Sequence, residues 1–147
     1  SSAASDVYKR QVQNYFEQYL GQFPAQVFDK INENFIRCSF FELCSRYLSS
    51  CYTFAIEQNN SAGRSDFEMT GIPGTDYYKD DRLAEFKYFK AKEAERMLAL
   101  SDPRPEDVAQ VLAYAKDTKE KFPHYHVRSY IVYICANKGW KCWEVTP

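Results

Sequence analysis

The sequence predicts a single α/β domain in which a long helix, three strands, a second helical region and two further strands follow one another. Three observations support this prediction. Between Pro24 and about Leu48, apolar residues recur every three to four positions, as on one face of a helix. Short runs that alternate apolar and polar residues follow, separated by clusters of Gly, Pro and Asn. A second stretch of helical periodicity, ending near Lys121, separates the third run from the fourth.

The composition is that of one globular domain. The chain has 147 residues, of which 45% are hydrophobic and 17% aromatic. Its net charge of −1 provides no overall basic field, so nucleic-acid binding would depend on a local patch. No apolar run approaches the roughly 18 residues that span a bilayer, which predicts a soluble chain without a membrane partner. The five cysteines lack a C-x-x-C spacing, which favours buried thiols in a reducing cytoplasm over a disulfide framework or a zinc site.

The first eleven residues, SSAASDVYKRQ, are treated apart. They contain neither an initiator Met nor the charged and apolar regions of a signal peptide. They resemble translated sequencing-adapter read-through. We therefore expect residues 1–11 to be a non-native or disordered lead and residues 12–147 to be a single domain, a fragment of a longer protein. The fold prediction leaves the lead out.

Two helices are predicted before the first strand. A short one carries apolar residues of the stretch 15–20 on one side and stops at Gly21. The long one starts near Pro24, because a missing N–H costs nothing in a first helical turn, and it continues to about Leu48. Its apolar stripe consists of Phe28, Ile31, Phe35, Phe40, Leu43, Cys44 and Tyr47.

Three strands are predicted next, at 51–57 (CYTFAIE), 64–69 (RSDFEM) and 82–89 (RLAEFKYF). The turn NNSAG separates the first two, and the breaker-rich segment TGIPGTD separates the second from the third. Strands that are neighbours in sequence usually pair, so these three are expected to lie side by side.

The remainder of the chain alternates helix and strand. AKEAERMLAL, 91–100, predicts a short helix, and SDPRPED supplies the entry to the second long helix. Two strands follow at 128–136 and 140–145, joined by the tight turn NKG. Trp140 and Trp143 fall on opposite faces of the last strand, so at least one is expected in the core. The stripe of the second long helix comprises Val108, Val111, Leu112, Ala115 and Phe122.

Charged residues interrupt strands two and three. Since side chains alternate faces along a strand, Asp66 shares a face with Arg64 and Glu68. Glu85 and Lys87 share a face of the next strand. If both strands use the same side of the sheet, Asp66, Glu85 and Lys87 converge. A divalent cation would compensate two clustered carboxylates. A lysine beside it can hold the attacking water and offset charge at phosphorus, which suits phosphodiester hydrolysis.

The acid-x-Lys pattern alone is not specific. It occurs twice in the chain, at Glu85-Phe-Lys87 and at Asp117-Thr-Lys119, which is close to chance for this composition. Only the first occurrence lies in a strand pattern beside another strand with a central acid. Taken alone, the pattern favours a polar strand face that meets water.

Four motifs in a fixed order resemble the PD-(D/E)XK nuclease superfamily. They are Asn32-Glu33 in the long helix, G-R-S-D ending at Asp66, E-F-K at 85–87, and A-Q-x-x-x-Y at 109–114. The resemblance covers about residues 24 to 145. More narrowly, the chain looks like the nuclease-type domain at the C-terminal end of bacterial proteins that carry an AAA-ATPase-like domain in front.

The resemblance implies a restriction-endonuclease-like αβββαβ core, with a mixed sheet flanked by helices, and a metal-dependent nuclease. It implies Mg²⁺ or Mn²⁺ held by Asp66 and Glu85. The helix acid Glu33 and the backbone carbonyl of Phe86 are the further metal ligands that it implies.

The resemblance also implies a catalytic lysine at Lys87 and a supporting glutamine at Gln110. The partners it implies are nucleic acid, DNA rather than RNA, and an upstream AAA-ATPase-like domain, in the cytoplasm. Two features depart from the pattern. Ser65 stands where the superfamily's namesake has proline, and Gln110 lies off the predicted apolar stripe. A G-x-x-x-x-G-K-[ST] loop is absent from the sequence, so this chain is not expected to bind ATP.

Other interpretations stay open. The same fold could be a catalytically inactive module that binds nucleic acid or a partner protein, which the weak net charge would suit. Glu57 is expected at a solvated strand end, Glu68 at the rim of the site, and His124 and His126 in a polar loop. A final group of cations is either a solvated helix face or an edge that follows phosphates: Arg82, Lys87, Lys90, Lys92, Arg96 and Arg104.

Overall fold

The computed structural model describes the backbone of residues 2–60 and 63–147, and the side chains of residues 8–56 and 67–147. These ranges contain four α-helices and five strands, with a π-helical turn over Tyr15–Tyr19 and 3₁₀ turns over Leu20–Gln22 and Ala25–Asp29. The helices are α1 (Ser2–Asn14), α2 (Glu33–Leu48), α3 (Ala91–Leu98) and α4 (Pro105–Lys121), and the strands are β1 (Tyr52–Asn60), β2 (Gly63–Gly71), β3 (Asp80–Phe89), β4 (His126–Cys135) and β5 (Gly139–Val145).

The strands form one mixed sheet in the order β1-β2-β3-β4-β5. The pairs β1/β2, β2/β3 and β4/β5 are antiparallel, whereas β3/β4 is parallel. A parallel pair needs a long crossover connection, and here α3 and α4 supply it. The predicted α/β class with a mixed sheet flanked by helices is confirmed, and it is consistent with a restriction-endonuclease-like fold.

The helices divide between the two faces of the sheet. Helices α1 and α2 cover one face, where Phe40 packs against Phe67 and Phe86 in the largest apolar cluster. Helices α3 and α4 cover the other face, where Met97 and Val111 meet β4. β3 and β4 are buried on both faces, as expected for central strands of such a sheet. Trp140 and Trp143 pack on opposite faces, as predicted.

The predicted single helix from Pro24 to Leu48 is wrong in its first part. A 3₁₀ turn over Ala25–Asp29 comes first, and α2 begins only at Glu33. Asn32 has extended backbone angles, and its side-chain oxygen accepts a hydrogen bond from the Phe35 N–H at 3.1 Å. This is an N-cap, which starts a new helix. The apolar spacing continued across the break because both segments pack on the same core.

Helix α1 lies in the stretch that the sequence prediction left out. Tyr8 and Val12 are fully buried in the large apolar cluster, and the Tyr8 ring stacks on that of Tyr130 at 4.2 Å. Residues 8–14 therefore contribute to the core. Whether residues 1–11 belong to the natural sequence stays a prediction. Across the described residues, none of the helices is long and apolar enough to cross a membrane.

Candidate functional site

The E-F-K motif lies in the middle of the sheet, on β3. Ala84 and Phe86 belong to the large apolar cluster beneath α2. By strand alternation, Glu85 and Lys87 therefore lie on the opposite face, the one that α3 and α4 cover. Glu85 is 3% exposed, a degree of burial that is rare for a carboxylate without a polar partner. The predicted shared face of Glu85 and Lys87 is confirmed.

Glu85 and Lys87 form an ion pair. The Lys87 Nζ atom lies 3.3 Å from a Glu85 carboxylate oxygen, and the lysine side chain is 22% exposed. Burial alone would lower the pKa of Lys87. The carboxylates of Glu85, Glu33 and Asp107 outweigh burial, so the pKa lies above the usual lysine value. Lys87 is therefore protonated at neutral pH and provides a fixed positive charge with N–H donors.

The helix acid Glu33 reaches the same part of β3 from the other face. It is the first residue of α2, so the Asn32 cap sets where it emerges. One of its carboxylate oxygens accepts a hydrogen bond from the backbone N–H of Tyr88 at 3.3 Å. The Tyr88 hydroxyl donates in turn to the carbonyl of Phe28, which ties the turn before α2 to β3. The structure therefore brings Glu33 next to the Glu85–Lys87 pair.

Asp66 can be placed only by its backbone. It lies in β2, which pairs with β3 in the register Phe67 opposite Ala84 and Glu68 opposite Leu83. One further step along this antiparallel register leads from Phe67 to Asp66 and from Ala84 to Glu85. The side chains of Asp66 and Glu57 lie outside the described residues. The predicted pairing of strands two and three is confirmed, while the convergence of Asp66 on Glu85 stays a prediction.

The donors that are described suit a hard cation. Mg²⁺ is bound through one or two carboxylates, with water and phosphate oxygens completing an octahedron. Glu85 and Glu33 offer carboxylates of this kind, and Phe86 lies between the motif's acid and its lysine. Within the described side chains, no group of three acidic, His or Cys residues is close enough to hold a metal. The two described acids thus fit Mg²⁺ or Mn²⁺ in chemical type.

Gln110, which the sequence placed off the apolar stripe, lies at the border of the buried face of α4. The buried residues of α4 are Asp107, Val111, Tyr114, Ala115 and Thr118. Gln110 follows Asp107 by three positions and precedes Tyr114 by four, so it borders this buried face, and it is itself half-buried. The apolar stripe left out Asp107, because this buried residue of the helix is polar. The supporting role of Gln110 stays a prediction.

Sequence reasoning missed a polar network beside Lys87. Asp107 is 2% exposed and accepts hydrogen bonds from the Tyr133 hydroxyl and, at 2.9 Å, from Nε of Arg104. The Arg104 backbone N–H donates to that same hydroxyl at 3.0 Å. Tyr133 is the β4 partner of Lys87 in the parallel register. The only signal in the sequence was an acid in the first turn of a helix, which is common on helix surfaces.

A second pair of carboxyls lies further along the same face. Glu68, which we expected at the rim, is half-buried and accepts a hydrogen bond from the Tyr114 hydroxyl at 3.3 Å. Asp81, near it on β3, is 1% exposed. Burial raises the pKa of Asp81 to about 9, and a hydrogen bond with Glu68 and the charges of Glu68 and Asp80 act in the same direction. Asp81 is therefore neutral at pH 7.

The predicted group of cations does not form one surface. Arg82 is buried against Asp80 at 3.0 Å, and Arg104 is held by Asp107. Lys90 and Lys92 instead line an open cleft of about 750 Å³ that also includes Glu33 and Tyr88. These two lysines are the members of the group that line this cleft. His124 and His126 are exposed near the start of β4.

Comparison with protein families gives a match over most of the chain. The model of the PD-(D/E)XK nuclease superfamily matches residues 31–144. No curated protein and no solved structure matches the chain. The matched residues run from the turn before α2 into β5. They include α2 on one face of the sheet, α3 and α4 on the other, and the E-F-K motif. The chain therefore belongs to the PD-(D/E)XK nuclease superfamily.

Proposed function

We propose that the protein is a metal-dependent nuclease that hydrolyses phosphodiester bonds of nucleic acid. One observation supports this most directly. The buried Glu85–Lys87 ion pair, at 3.3 Å, lies at the point of β3 that Glu33 reaches from α2. Three charged groups from two distant segments meet there, beside a cleft lined with lysines. Charged side chains are rarely buried without such mutual compensation.

The proposed metal is Mg²⁺ or Mn²⁺. Asp66 and Glu85 would hold it, with Glu33 and the Phe86 carbonyl as further ligands. When bound, the ion supplies a Lewis acid that polarises a phosphoryl oxygen and lowers the pKa of a bound water.

The chain's own residues have separate tasks in this proposal. The protonated Lys87 orients the attacking water through its N–H groups and offsets negative charge that develops at phosphorus. The carboxylates of Glu85, Glu33 and Asp107 raise the pKa of Lys87, which favours its charged form. Gln110 would support the site from α4.

Lys90 and Lys92 would hold phosphates of the substrate in the adjoining cleft. On the resemblance alone, we further propose DNA over RNA as substrate, a cytoplasmic location and a working partnership with an upstream AAA-ATPase-like domain.

Cleavage assays test the proposal. Single- and double-stranded DNA and RNA are incubated with the protein and Mg²⁺ or Mn²⁺, alongside Glu85→Gln and Lys87→Met. Each substitution is expected to slow cleavage by at least about a hundredfold, the typical effect of removing one transition-state contact. Lys141→Met and Glu42→Gln are matched controls on β5 and α2, expected to cut like the parent. If Glu85→Gln and Lys87→Met also cut like the parent while folded, the assignment is wrong.

The alternative is a catalytically inactive module of the same fold that binds nucleic acid or a partner protein. The net charge of −1 is the observation in its favour. Calorimetric titration with Mn²⁺ separates the two functions. The nuclease proposal predicts a bound ion that Asp66→Ala abolishes. The alternative predicts nucleic-acid binding that is insensitive to chelator, with no cleavage product.

A further inference from the structure

Exposed aromatic side chains gather at one end of the sheet, away from the E-F-K motif. Of the four large hydrophobic side chains exposed in the described part of the chain, three lie there: Tyr77, Tyr78 and Phe122 are 43%, 45% and 49% exposed. The fourth, Tyr47, lies on α2. Tyr78, Tyr125 and Phe122 form what we call the aromatic ribbon, Tyr78–Tyr125–Phe122, whereas the Tyr77 ring packs against Tyr52 at 5.2 Å.

The ribbon joins two connections of the fold. Tyr77 and Tyr78 belong to the β2–β3 connection, whereas Phe122 and Tyr125 belong to the connection between α4 and β4. The rings of Tyr78 and Tyr125 are 6.3 Å apart, and those of Phe122 and Tyr125 are 5.3 Å apart. Their planes meet at 80° and 45°, so the rings are not stacked flat on one another. Tyr78 and Phe122 each keep nearly half of their surface open to solvent.

The backbone beneath the ribbon is firmly held. Hydrogen bonds run from the Asp80 N–H to the Tyr77 carbonyl at 2.9 Å and from the Tyr125 N–H to the Phe122 carbonyl at 3.0 Å. A bond of 2.7 Å from the His126 N–H to the Lys79 carbonyl ties the two connections together. The backbone that carries the rings is therefore ordered, which reduces the entropy that a ligand must remove on binding.

Cations are interleaved with these rings. The Lys79 ammonium lies 5.8 Å from the centre of the Tyr78 ring, and Lys119 donates a hydrogen bond to the Tyr125 carbonyl. A cleft of about 1110 Å³ opens beside the ribbon, and Lys119 is one of the residues that line it. The basic residues lining this cleft are Lys116, Lys119, His126 and Arg128, and the acidic ones are Glu120 and Glu144. Arg128 is paired with Glu144 at 3.5 Å, so the surface combines the aromatic rings chiefly with lysines: Lys79, Lys116 and Lys119.

We propose that the aromatic ribbon binds unpaired bases of single-stranded nucleic acid, with Lys79 and the cleft lysines contacting its phosphates. Bases stack on aromatic side chains whatever their identity, and cations beside them follow the backbone. A duplex does not offer free base faces for this purpose, because its bases are already stacked on each other. An ordinary protein partner would cover apolar rings, but it has no general need for interleaved lysines.

The place of this surface in the reaction rests on the proposed nuclease function. Lys79 directly precedes β3 and lies six residues before Glu85, or roughly 20 Å at the usual rise of a strand. That span corresponds to about six stacked nucleotides. A single strand held on the ribbon would extend toward the proposed cleavage site. The ribbon would therefore bind substrates that have an unpaired segment.

Binding in the absence of metal tests the inference separately from cleavage. Fluorescence anisotropy with labelled 15-nucleotide oligothymidylate and oligouridylate, in EDTA at low salt, measures the affinity of the full chain. Tyr78→Ala and Phe122→Ala are expected to weaken binding by roughly fivefold to a hundredfold each. Tyr78→Phe and Phe122→Tyr should retain it, and Tyr47→Ala is the matched control that should not change it. Lys79→Gln should reduce the slope of log affinity against log salt concentration by the amount that corresponds to about one phosphate contact.

Several results would overturn the ribbon proposal. Parent-like affinity in folded Tyr78→Ala and Phe122→Ala would do so, as would a blunt 15-base-pair duplex that binds as tightly as oligothymidylate. Failure to bind either oligonucleotide would point to a protein partner instead. The two proposals fail separately. If the protein cleaves nucleic acid but the ribbon variants bind like the parent, the nuclease proposal stands and the ribbon proposal fails. If binding depends on the ribbon but no cleavage occurs, the ribbon proposal stands and the nuclease proposal fails.

Discussion

At the scale of single residues, two buried acids on the same strand differ in their neighbours. Glu85 and Asp81 are both almost fully buried on β3, four positions apart. Glu85 has the ammonium of Lys87 at 3.3 Å. Asp81 instead faces Glu68, and its pKa rises to about 9. A cation beside a buried carboxylate favours the charged form, whereas a second carboxylate favours a shared proton.

The first prediction concerns Asp81. Because its folded-state pKa of about 9 lies above the usual value, the folded protein retains a proton that the unfolded chain releases above about pH 4. Stability therefore falls as pH rises between about 4 and 9. Asp81→Asn should remove this decline, worth up to about 1.4 kcal/mol per pH unit. Urea unfolding at pH 5 and pH 8 measures it, with exposed Asp76→Asn as control. Parallel pH profiles for the parent and Asp81→Asn would contradict it.

At the scale of elements, a helix start positions one of the proposed metal ligands. The Asn32 side chain caps α2 through the Phe35 N–H. Glu33 is the next residue, and it accepts a hydrogen bond from β3 at Tyr88. The break between the 3₁₀ turn and α2 therefore determines where the acid meets the sheet. In a continuous helix from Pro24, the direction of the Glu33 side chain would depend only on its position in the helical turn.

The second prediction concerns this cap. Asn32→Ala should lower the free energy of unfolding by about 1 kcal/mol, because the cap's hydrogen bond is lost. It should also weaken Mn²⁺ binding, since the position of Glu33 at the start of α2 is no longer held by the cap. Asn32→Ser, which can still cap, should restore both. Urea denaturation and calorimetric titration measure the two effects, and unchanged stability in Asn32→Ala would show that the cap does not hold the helix start.

At the scale of the whole molecule, the two helical layers have different tasks. The layer of α1 and α2 forms the large apolar cluster, with Tyr8 stacked on Tyr130 at 4.2 Å and close to Phe40 at 6.2 Å. The layer of α3 and α4 carries buried polar groups, among them Asp107. The proposed site lies on β3, at the boundary between the two layers. The apolar cluster on one face of the sheet therefore supports the charged residues of the site.

The third prediction tests whether α1 is integral to that core. Tyr8 is fully buried, and within the described residues its hydroxyl has no hydrogen-bond partner. Tyr8→Ala should lower the free energy of unfolding by about 3–5 kcal/mol through the cavity it leaves. Tyr8→Phe should leave stability equal or higher, because it removes a buried unpaired hydroxyl. Thermal and urea unfolding measure both. If Tyr8→Ala unfolds like the parent, α1 is not part of the stable core.

The sequence by itself determined the order of elements from α2 onward, the pairing of β2 with β3 and the shared face of Glu85 and Lys87. All of these depend on local periodicity or on neighbouring segments, which a pattern of residues records directly. Most strand positions agree to within a few residues, although β1 extends to Asn60 and β4 begins at His126. The helix break at Asn32 was missed, because an asparagine inside an apolar pattern does not reveal its own backbone angles.

Only the tertiary structure decided what surrounds Lys87. The α3–α4 crossover makes β3 and β4 parallel neighbours, which places Tyr133 beside Lys87 and buries Asp107 against Tyr133. These residues are 20 or more positions from Lys87, and their polar character reads as solvent exposure in a sequence. The same crossover places Gln110 at the border of the sheet-facing side of α4. Long-range packing sets the partners of a buried charge, because the low-dielectric interior penalises every charge left without one.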